Sequence, residues 1–220
     1  MKDRNLQYQT VKPILQTTLE KLMAIAEFNS FTLVGGTSLS LRYGHRMSDD
    51  IDLFTDAKYG SIDFRELQNI LYKEFPYCYG DCGDNVSFGT SYMIGTSKDD
   101  CVKLDLYYTD KFIRPIEHIG NIRMAGVEDI VAMKIDVISQ GGRKKDFWDL
   151  HLLHDKFSIN QMLDFYSERY PYGASKEECV EGFNNFTIAD ADPNPICMQN
   201  KVWQLIKLDF VDWTSILLPL

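Results

Sequence analysis

The sequence contains no long apolar segment and carries no surplus of positive charge. Its first residues, MKDRNLQ, lack the apolar core of a signal peptide, and no window approaches the roughly 18 apolar residues of a membrane span. The formal net charge of −9 excludes a protein that coats nucleic acid, so phosphate contacts must come from locally clustered Lys and Arg. We therefore expect a cytoplasmic protein with no membrane partner and no DNA-coating function.

Paired cysteines and the common nucleotide-binding motifs are also missing. The five cysteines are scattered, and Cys78 and Cys82 have no second Cys or His pair that would complete a zinc site, so we expect reduced thiols. No Gly-Lys-Ser/Thr stands at the Walker spacing, and no G-x-G-x-x-G occurs. A P-loop and a dinucleotide fingerprint are therefore excluded.

What is present is a mixed pattern of helices and strands in a chain of 220 residues, 45% of them hydrophobic. Hydrophobic periodicity predicts helices at 11–29, 37–43, 64–75, 127–139 and 145–157, and strands at 31–34, 86–97, 101–109 and 120–124. Residues 48–56 are predicted to form a turn that leads into a further strand. Thr37 is predicted to cap its helix, and the polar segment 187–200 to interrupt a helical C-terminal half. The prediction is an α/β (α+β) core at 1–125 with a mixed sheet flanked by helices, followed by a helical region at 126–220 that closes over a cleft.

Carboxylates alternate with apolar residues in Asp50-Ile-Asp-Leu-Phe54. On a strand, Asp50 and Asp52 point to one face, about 7 Å apart, while Ile51 and Leu53 point to the other. Such carboxylates suit Mg²⁺, which takes one or two of them together with substrate phosphate oxygens. The alternative is that the aspartates only line the solvated face of an edge strand.

A second strand shows the same alternation, with Lys103, Asp105 and Tyr107 on one face. If this strand lies beside Asp50 and Asp52, Asp105 becomes a third carboxylate at the same site. Three carboxylates at close range repel one another unless a cation neutralises them.

The Gly35-Gly36-Thr37-Ser38 stretch lies between a predicted strand and a predicted helix. Backbone N–H groups at such a turn, together with the positive end of the helix dipole, can bind an anion. The alternative is an ordinary tight turn.

Val34-Gly35-Gly36, followed by Asp50-Ile51-Asp52-Leu53, resembles the active-site signature of the DNA polymerase beta nucleotidyltransferase superfamily. More narrowly, GGTSLSLRYGHRMSDDIDLF is similar to the nucleotidyltransferase AbiEii/AbiGii toxin family. The later segment EDIVAMKIDVISQGGRKKDFWDL is similar to a Lys-bearing helix and a Lys-Asp-x-x-Asp-Leu motif of that family.

The resemblance implies a role for each matching residue. The phosphate-binding turn comprises Gly35, Gly36, Thr37 and Ser38, and the metal ligands are Asp50 and Asp52, with Asp105 placed by analogy to the superfamily. The other catalytic residues that it implies are Lys134, for nucleotide phosphates, and Asp146 and Asp149, of which the pattern leaves open which one reaches the site. The apolar pattern of its own helix predicts an exposed Lys134.

Basic residues near these motifs could bind phosphate. Arg46 either binds a phosphate through its guanidinium or pairs with one of the nearby aspartates. Arg143-Lys144-Lys145 is the densest basic run of the chain, and it either contacts an RNA backbone or forms a solvated turn.

The resemblance implies transfer of a nucleoside monophosphate from an NTP, with Mg²⁺ or Mn²⁺ as cofactor. The implied acceptor is RNA, with tRNA as one candidate, and the implied role is that of a toxin in an abortive-infection system, with an antitoxin encoded alongside as its partner. The alternative is a toxin or sensor that binds NTP without turnover and acts through a protein partner.

Overall fold

The computed structural model describes residues 5–83 and 88–217. The chain divides into two compact units. The first comprises the described residues of Met1–Gly44, Ser48–Lys111 and Ile116–Ala125, and the second those of His45–Met47, Phe112–Pro115 and Gly126–Leu220. Two short segments from before residue 126 thus belong with the helical second unit.

The first unit contains a mixed sheet and three α-helices. Its described strands are β1 (Thr32–Leu33), β2 (Asp50–Thr55), β3 (Tyr77–Tyr79), β4 (Gly89–Ser97), β5 (Asp100–Tyr108), β6 (Glu117–Ile119) and β7 (Ile122–Met124). Its helices are α1 (Pro13–Ala24), α2 (Gly35–Tyr43) and α3 (Phe64–Glu74). The strand order is β3-β4-β5-β2-β1-β7-β6. The β2–β5 and β1–β7 pairs are parallel, and the others are antiparallel.

The core of the first unit forms on the apolar face of this sheet. Ile51 and Leu53 of β2 and Leu104 and Leu106 of β5 are fully buried in one cluster with the apolar residues of α1. Because strand residues alternate between faces, Asp50 and Asp52 lie on the opposite face, where both are only partly buried. The core thereby fixes the orientation of the acidic face.

The second unit is helical. Its described helices are α4 (Val127–Ser139), α5 (Lys144–Leu153), α6 (Ile159–Arg169), α7 (Lys176–Phe183), α8 (Thr187–Ala191) and α9 (Trp203–Ser215). Helix α4 packs against α5, α6 and α7. An aromatic cluster centred on Phe147 joins α5 to α9 through Trp203 and Phe210, with ring centroids 5.8 and 5.3 Å away.

The predicted fold class, an α/β core with a mixed sheet followed by helices, is confirmed. Several local predictions are wrong. Thr37 does not cap α2, which begins at Gly35 without a side-chain cap. Part of the polar segment 187–200 forms the short helix α8, and the strands β3 and β6 were not predicted. The first two residues of the predicted strand 86–97 lie outside the described residues.

Among the helices that the structure describes, we find none whose length and hydropathy would let it cross a membrane.

Candidate active site

The turn at Gly35 brings a helix N-terminus against a carboxylate in the first unit. The Val34 amide donates to the Asp52 carbonyl oxygen at 2.9 Å, so β1 and β2 remain paired up to this turn. Gly35 has a φ of +70°, and a Cβ at this position would lie 2.3 Å from the Asp52 Oδ2 atom. Only glycine combines this backbone conformation with so close a carboxylate. The structure therefore explains the first glycine of the pair by its proximity to Asp52.

The hydroxyl groups of Thr37 and Ser38 are used inside the protein. The Thr37 hydroxyl lies 2.8 Å from the Ser48 hydroxyl and also donates to the Asp50 carbonyl oxygen, which ties α2 to the start of β2. Ser38 is fully buried, and its Oγ accepts a long hydrogen bond of 3.5 Å from the Arg42 Nε atom. Phosphate binding at this turn would therefore rely on backbone N–H groups, because neither side chain is exposed.

Strands β2 and β5 form the acidic face that alternation predicts. In their parallel register, Asp50 is opposite Lys103 and Asp52 is opposite Asp105. Register partners of neighbouring strands point to the same face of a sheet, about 4.8 Å apart. The strand that carries Asp105 therefore lies directly beside the strand that carries Asp50 and Asp52, as a site with three carboxylates requires.

Asp105 already has a partner at each of its carboxylate oxygens. Ser91 Oγ, on β4, donates to Asp105 Oδ1 at 2.6 Å, and Lys103 Nζ donates to Asp105 Oδ2 at 2.6 Å. Burial alone would lower the pKa of the Lys103 ammonium, but the neighbouring carboxylates, led by Asp105, hold this pKa above its ordinary value. Sequence reasoning placed Lys103 on this face without a role and missed Ser91, which can be found only from the β4–β5 register.

The donor chemistry of this face fits a divalent cation. Asp50 and Asp52 supply the hard oxygen ligands that Mg²⁺ prefers. Asp52 Oδ2 also occupies the space beside Gly35, next to the N-terminal turn of α2. Within residues 5–83 and 88–217, however, no three or more His, Cys, Asp or Glu side chains are already arranged around a common metal position. The assignment of Asp50, Asp52 and Asp105 as metal ligands stays a prediction.

The remaining predicted site residues form a buried ionic network in the second unit. Arg46 holds Asp149 with two hydrogen bonds, from Nε to Oδ1 at 2.7 Å and from Nη2 to Oδ2 at 2.8 Å. Lys134 Nζ lies 2.6 Å from Asp146 Oδ1 and 2.9 Å from Asp149 Oδ2. His45 Nε2 lies 2.8 Å from Asp149 Oδ1. The helices α4 and α5 and the segment 45–47 are thus joined through Asp149.

Charge pairing outweighs desolvation in this network. Burial would raise the pKa of the Asp149 carboxyl, but Arg46 and Lys134 hold this pKa well below its ordinary value. Burial would likewise lower the pKa of the Lys134 ammonium, whereas Asp146 and Asp149 hold it above its ordinary value. For His45, burial prevails over its hydrogen bond to Asp149, so the pKa of the imidazole is lowered. Both carboxylates and the lysine are therefore charged at neutral pH, and the histidine is neutral.

The exposed position predicted for Lys134 is wrong, because only 6% of the residue is exposed. The pattern of α4 alone could not show that α5 places two carboxylates on this lysine. For Arg46, the structure contains the ion pair that was the alternative interpretation, and the partner is Asp149 rather than an aspartate close in sequence. Phosphate binding by Lys134 and Arg46 stays a prediction.

Comparisons with known proteins agree with these motifs. The family model "Nucleotidyl transferase AbiEii toxin, Type IV TA system" matches residues 17–212. An uncharacterized protein of Aquifex aeolicus (strain VF5) is 33% identical over 144 residues, which are 63% of this chain and 64% of that relative. The match therefore spans less than two thirds of the length of this curated relative.

Two solved structures resemble the fold. MenT4, a nucleotidyltransferase toxin from Mycobacterium tuberculosis H37Rv, has a TM-score of 0.56 at 11% identity, over 91% of this chain and 82% of its own. JHP933 from Helicobacter pylori has a TM-score of 0.54 at 16% identity, over 92% of this chain and 88% of its own. At such identities the likeness shows the fold alone. Because the family model covers most of the sequence and includes both predicted motifs, the chain belongs to the nucleotidyl transferase AbiEii toxin family of type IV toxin–antitoxin systems.

Proposed function

We propose that this protein is a Mg²⁺-dependent nucleotidyltransferase that transfers a nucleoside monophosphate from an NTP to an RNA acceptor such as tRNA. One observation carries the proposal. The parallel register places Asp52 beside Asp105, and the Asp52 carboxylate lies against the Gly35 turn, which supports a proposal in which carboxylates bind metal next to backbone N–H groups that bind phosphate. Mn²⁺ would serve as an alternative cofactor, because it also accepts hard oxygen ligands.

Each predicted site residue of the first unit has a role in this proposal. Asp50 and Asp52 would hold the metal, and the backbone N–H groups at Gly35, Gly36, Thr37 and Ser38 would receive the phosphates of the NTP. Mg²⁺ held there would supply activation of the acceptor hydroxyl and neutralisation of charge on the triphosphate. Asp105 would complete the metal site and accept the hydroxyl proton. Pyrophosphate would leave as the acceptor oxygen bonds to the α-phosphorus.

For the predicted site residues of the second unit we propose a positioning role, in which they hold the surrounding elements in place. Arg46, Lys134, Asp146 and Asp149 would hold α4, α5 and the segment 45–47 in a fixed arrangement. Removing one of these side chains leaves an uncompensated buried charge. Each substitution would therefore lower the stability of this arrangement, and any loss of activity would follow from that.

As a member of a type IV toxin family, the protein would act opposite an antitoxin encoded alongside. The net charge of −9 requires that an RNA acceptor dock on a small basic patch.

The test is incubation with total tRNA and each labelled NTP in Mg²⁺, beside an Asp50→Asn/Asp52→Asn variant. We expect label in the RNA with one or more NTPs, and none with the variant or with EDTA. Intact NTP binding without transfer from any NTP to RNA or protein would instead support a toxin or sensor that acts through a protein partner, and would refute the transferase.

A further inference from the structure

Lys103 lies among the three carboxylates of the acidic face. It is the register partner of Asp50, two residues before Asp105 on the same face of β5, and its ammonium holds Asp105 Oδ2 at 2.6 Å. About half of the Lys103 side chain is exposed (48%), whereas Asp105 is mostly covered (16%). The lysine can therefore move into solvent while the aspartate stays in place.

This ammonium contacts a carboxylate oxygen that a divalent cation would also bind. Asp105 Oδ1 accepts from Ser91 and Oδ2 accepts from Lys103, so both oxygens are used by the protein itself. A divalent cation that includes Asp105 among its ligands must compete with the lysine for Oδ2. The same contact explains why three carboxylates tolerate one another in the protein alone, since a positive charge reduces their mutual repulsion.

We propose that Lys103 is an exchangeable counter-cation: it holds Asp105 in the metal-free protein and is released to bind the triphosphate of the NTP when metal enters. The inference rests on the proposed function and adds a residue to it. A lysine ammonium is a compact point charge on a flexible stem, which suits both a carboxylate and a phosphate oxygen as partner. Ser91 keeps its hydrogen bond to Asp105 and so fixes the carboxylate during the exchange.

Two binding measurements test the exchange without relying on turnover. Mn²⁺ binding is followed by electron paramagnetic resonance, and binding of α,β-methylene analogues of the four NTPs by calorimetry in Mg²⁺. We expect Lys103→Met to bind Mn²⁺ about threefold to fivefold more tightly than wild type, because a half-exposed ion pair that competes with the metal is gone. The same variant should bind the NTP analogue about tenfold more weakly, because a phosphate contact is lost.

Matched variants separate charge, position and folding. Lys98→Met removes one positive charge from the exposed turn of the same β4–β5 hairpin, and should change neither affinity. Lys103→Arg keeps the charge beside Asp105 and should keep the Mn²⁺ affinity within about twofold of wild type. The far-ultraviolet circular dichroism of all three variants should match that of wild type, because neither Lys98 nor Lys103 is buried.

The outcomes distinguish this inference from the proposed function. Equal Mn²⁺ affinities for wild type and Lys103→Met, with Mn²⁺ binding lost in Asp50→Asn/Asp52→Asn, would overturn the exchange and leave the metal site intact. NTP binding that is unchanged in Lys103→Met would also overturn it. Mn²⁺ binding that is the same in wild type and in the double aspartate variant would refute the metal site itself, and with it the proposed function.

Discussion

Gly35 is the residue on which the geometry of the acidic face depends most directly. Its φ of +70° disfavours any side chain, and a Cβ would lie 2.3 Å from Asp52 Oδ2. We expect Gly35→Ala to lower the free energy of unfolding by about 3 kcal/mol, from backbone strain together with displacement of Asp52. NMP transfer should be lost, since Asp52 can no longer keep its position.

Gly60 provides the matched control for this prediction. Its φ is +79°, yet a Cβ there would meet no atom within 4 Å. Gly60→Ala therefore carries the backbone strain alone, about 1 kcal/mol, and should keep its activity. Urea unfolding followed by circular dichroism measures both variants. If both substitutions lower the free energy of unfolding equally and both variants retain NMP transfer, the close approach of Gly35 and Asp52 contributes to neither stability nor activity.

At the scale of single elements, the β2 strand was predictable and the face of α4 was not. Strict alternation in Asp50–Leu53 determines which side chains face the core, and β5 repeats it, so the acidic face followed from two short segments. Lys134 is different, because its burial depends on carboxylates that α5 supplies from twelve and fifteen residues further along the chain. Periodicity within one helix carries no information about the charges on its neighbour. The three-residue strands β3 and β6 were missed because segments of this length show little alternation.

The ionic network between α4 and α5 leads to a prediction about stability. Lys134→Met leaves two buried carboxylates without their shared ammonium, and we expect a loss of about 3–5 kcal/mol in the free energy of unfolding. The three tryptophans, Trp148, Trp203 and Trp213, all lie in the second unit, so urea unfolding followed by their fluorescence reports on this unit.

Two comparisons make this prediction specific. Lys176→Met removes a lysine whose 2.6 Å pair with Asp164 is exposed, and should cost at most about 1 kcal/mol. The difference in free energy of unfolding between wild type and Lys134→Met should also depend on pH. The pKa values of Asp146 and Asp149 are lowered by folding, so their stabilisation is complete above the unfolded carboxyl pKa of about 4 and is lost as pH falls through the folded values. If the difference in free energy of unfolding stayed constant from pH 7 to pH 3, this would contradict a charged network. A loss of stability in Lys134→Met no larger than that in Lys176→Met would also contradict it.

At the scale of the whole molecule, the order of patterns along the chain predicted an α/β core followed by helices, and the family motifs predicted the fold of that core. What the sequence did not reveal is that two short segments from before residue 126 belong with the second unit. Residues 45–47 belong with the second unit because Arg46 and His45 bind Asp149, more than a hundred residues further on. A contact at that separation leaves no trace in local spacing, so the sequence could not show that Arg46 pairs with the buried carboxylate of Asp149.

Net charge limits how this protein could bind the proposed RNA acceptor. With a formal charge of −9, only locally clustered cations can contact phosphates. The densest basic run is partly committed already, because Lys144 Nζ donates to the Asp192 carbonyl oxygen at 2.6 Å and Arg143 Nε lies 3.3 Å from Asp146 Oδ2. We therefore expect the logarithm of tRNA affinity to fall with the logarithm of KCl concentration at a slope shallower than about −4, which corresponds to fewer than about five phosphate contacts.

Fluorescence anisotropy of labelled tRNA between about 50 and 200 mM KCl measures this slope. Lys145→Gln, in the same basic run, should make the slope shallower by about 1, which corresponds to the loss of one phosphate contact. Lys98→Gln, on the hairpin turn of the first unit, is the charge-matched control and should leave the slope unchanged. A slope steeper than about −6 would require more phosphate contacts than a small patch provides, and would contradict localised docking. Since specificity for one RNA cannot come from so few phosphate contacts, a shallow slope would mean that the acceptor is recognised through its bases or its unpaired end, where contacts depend little on salt.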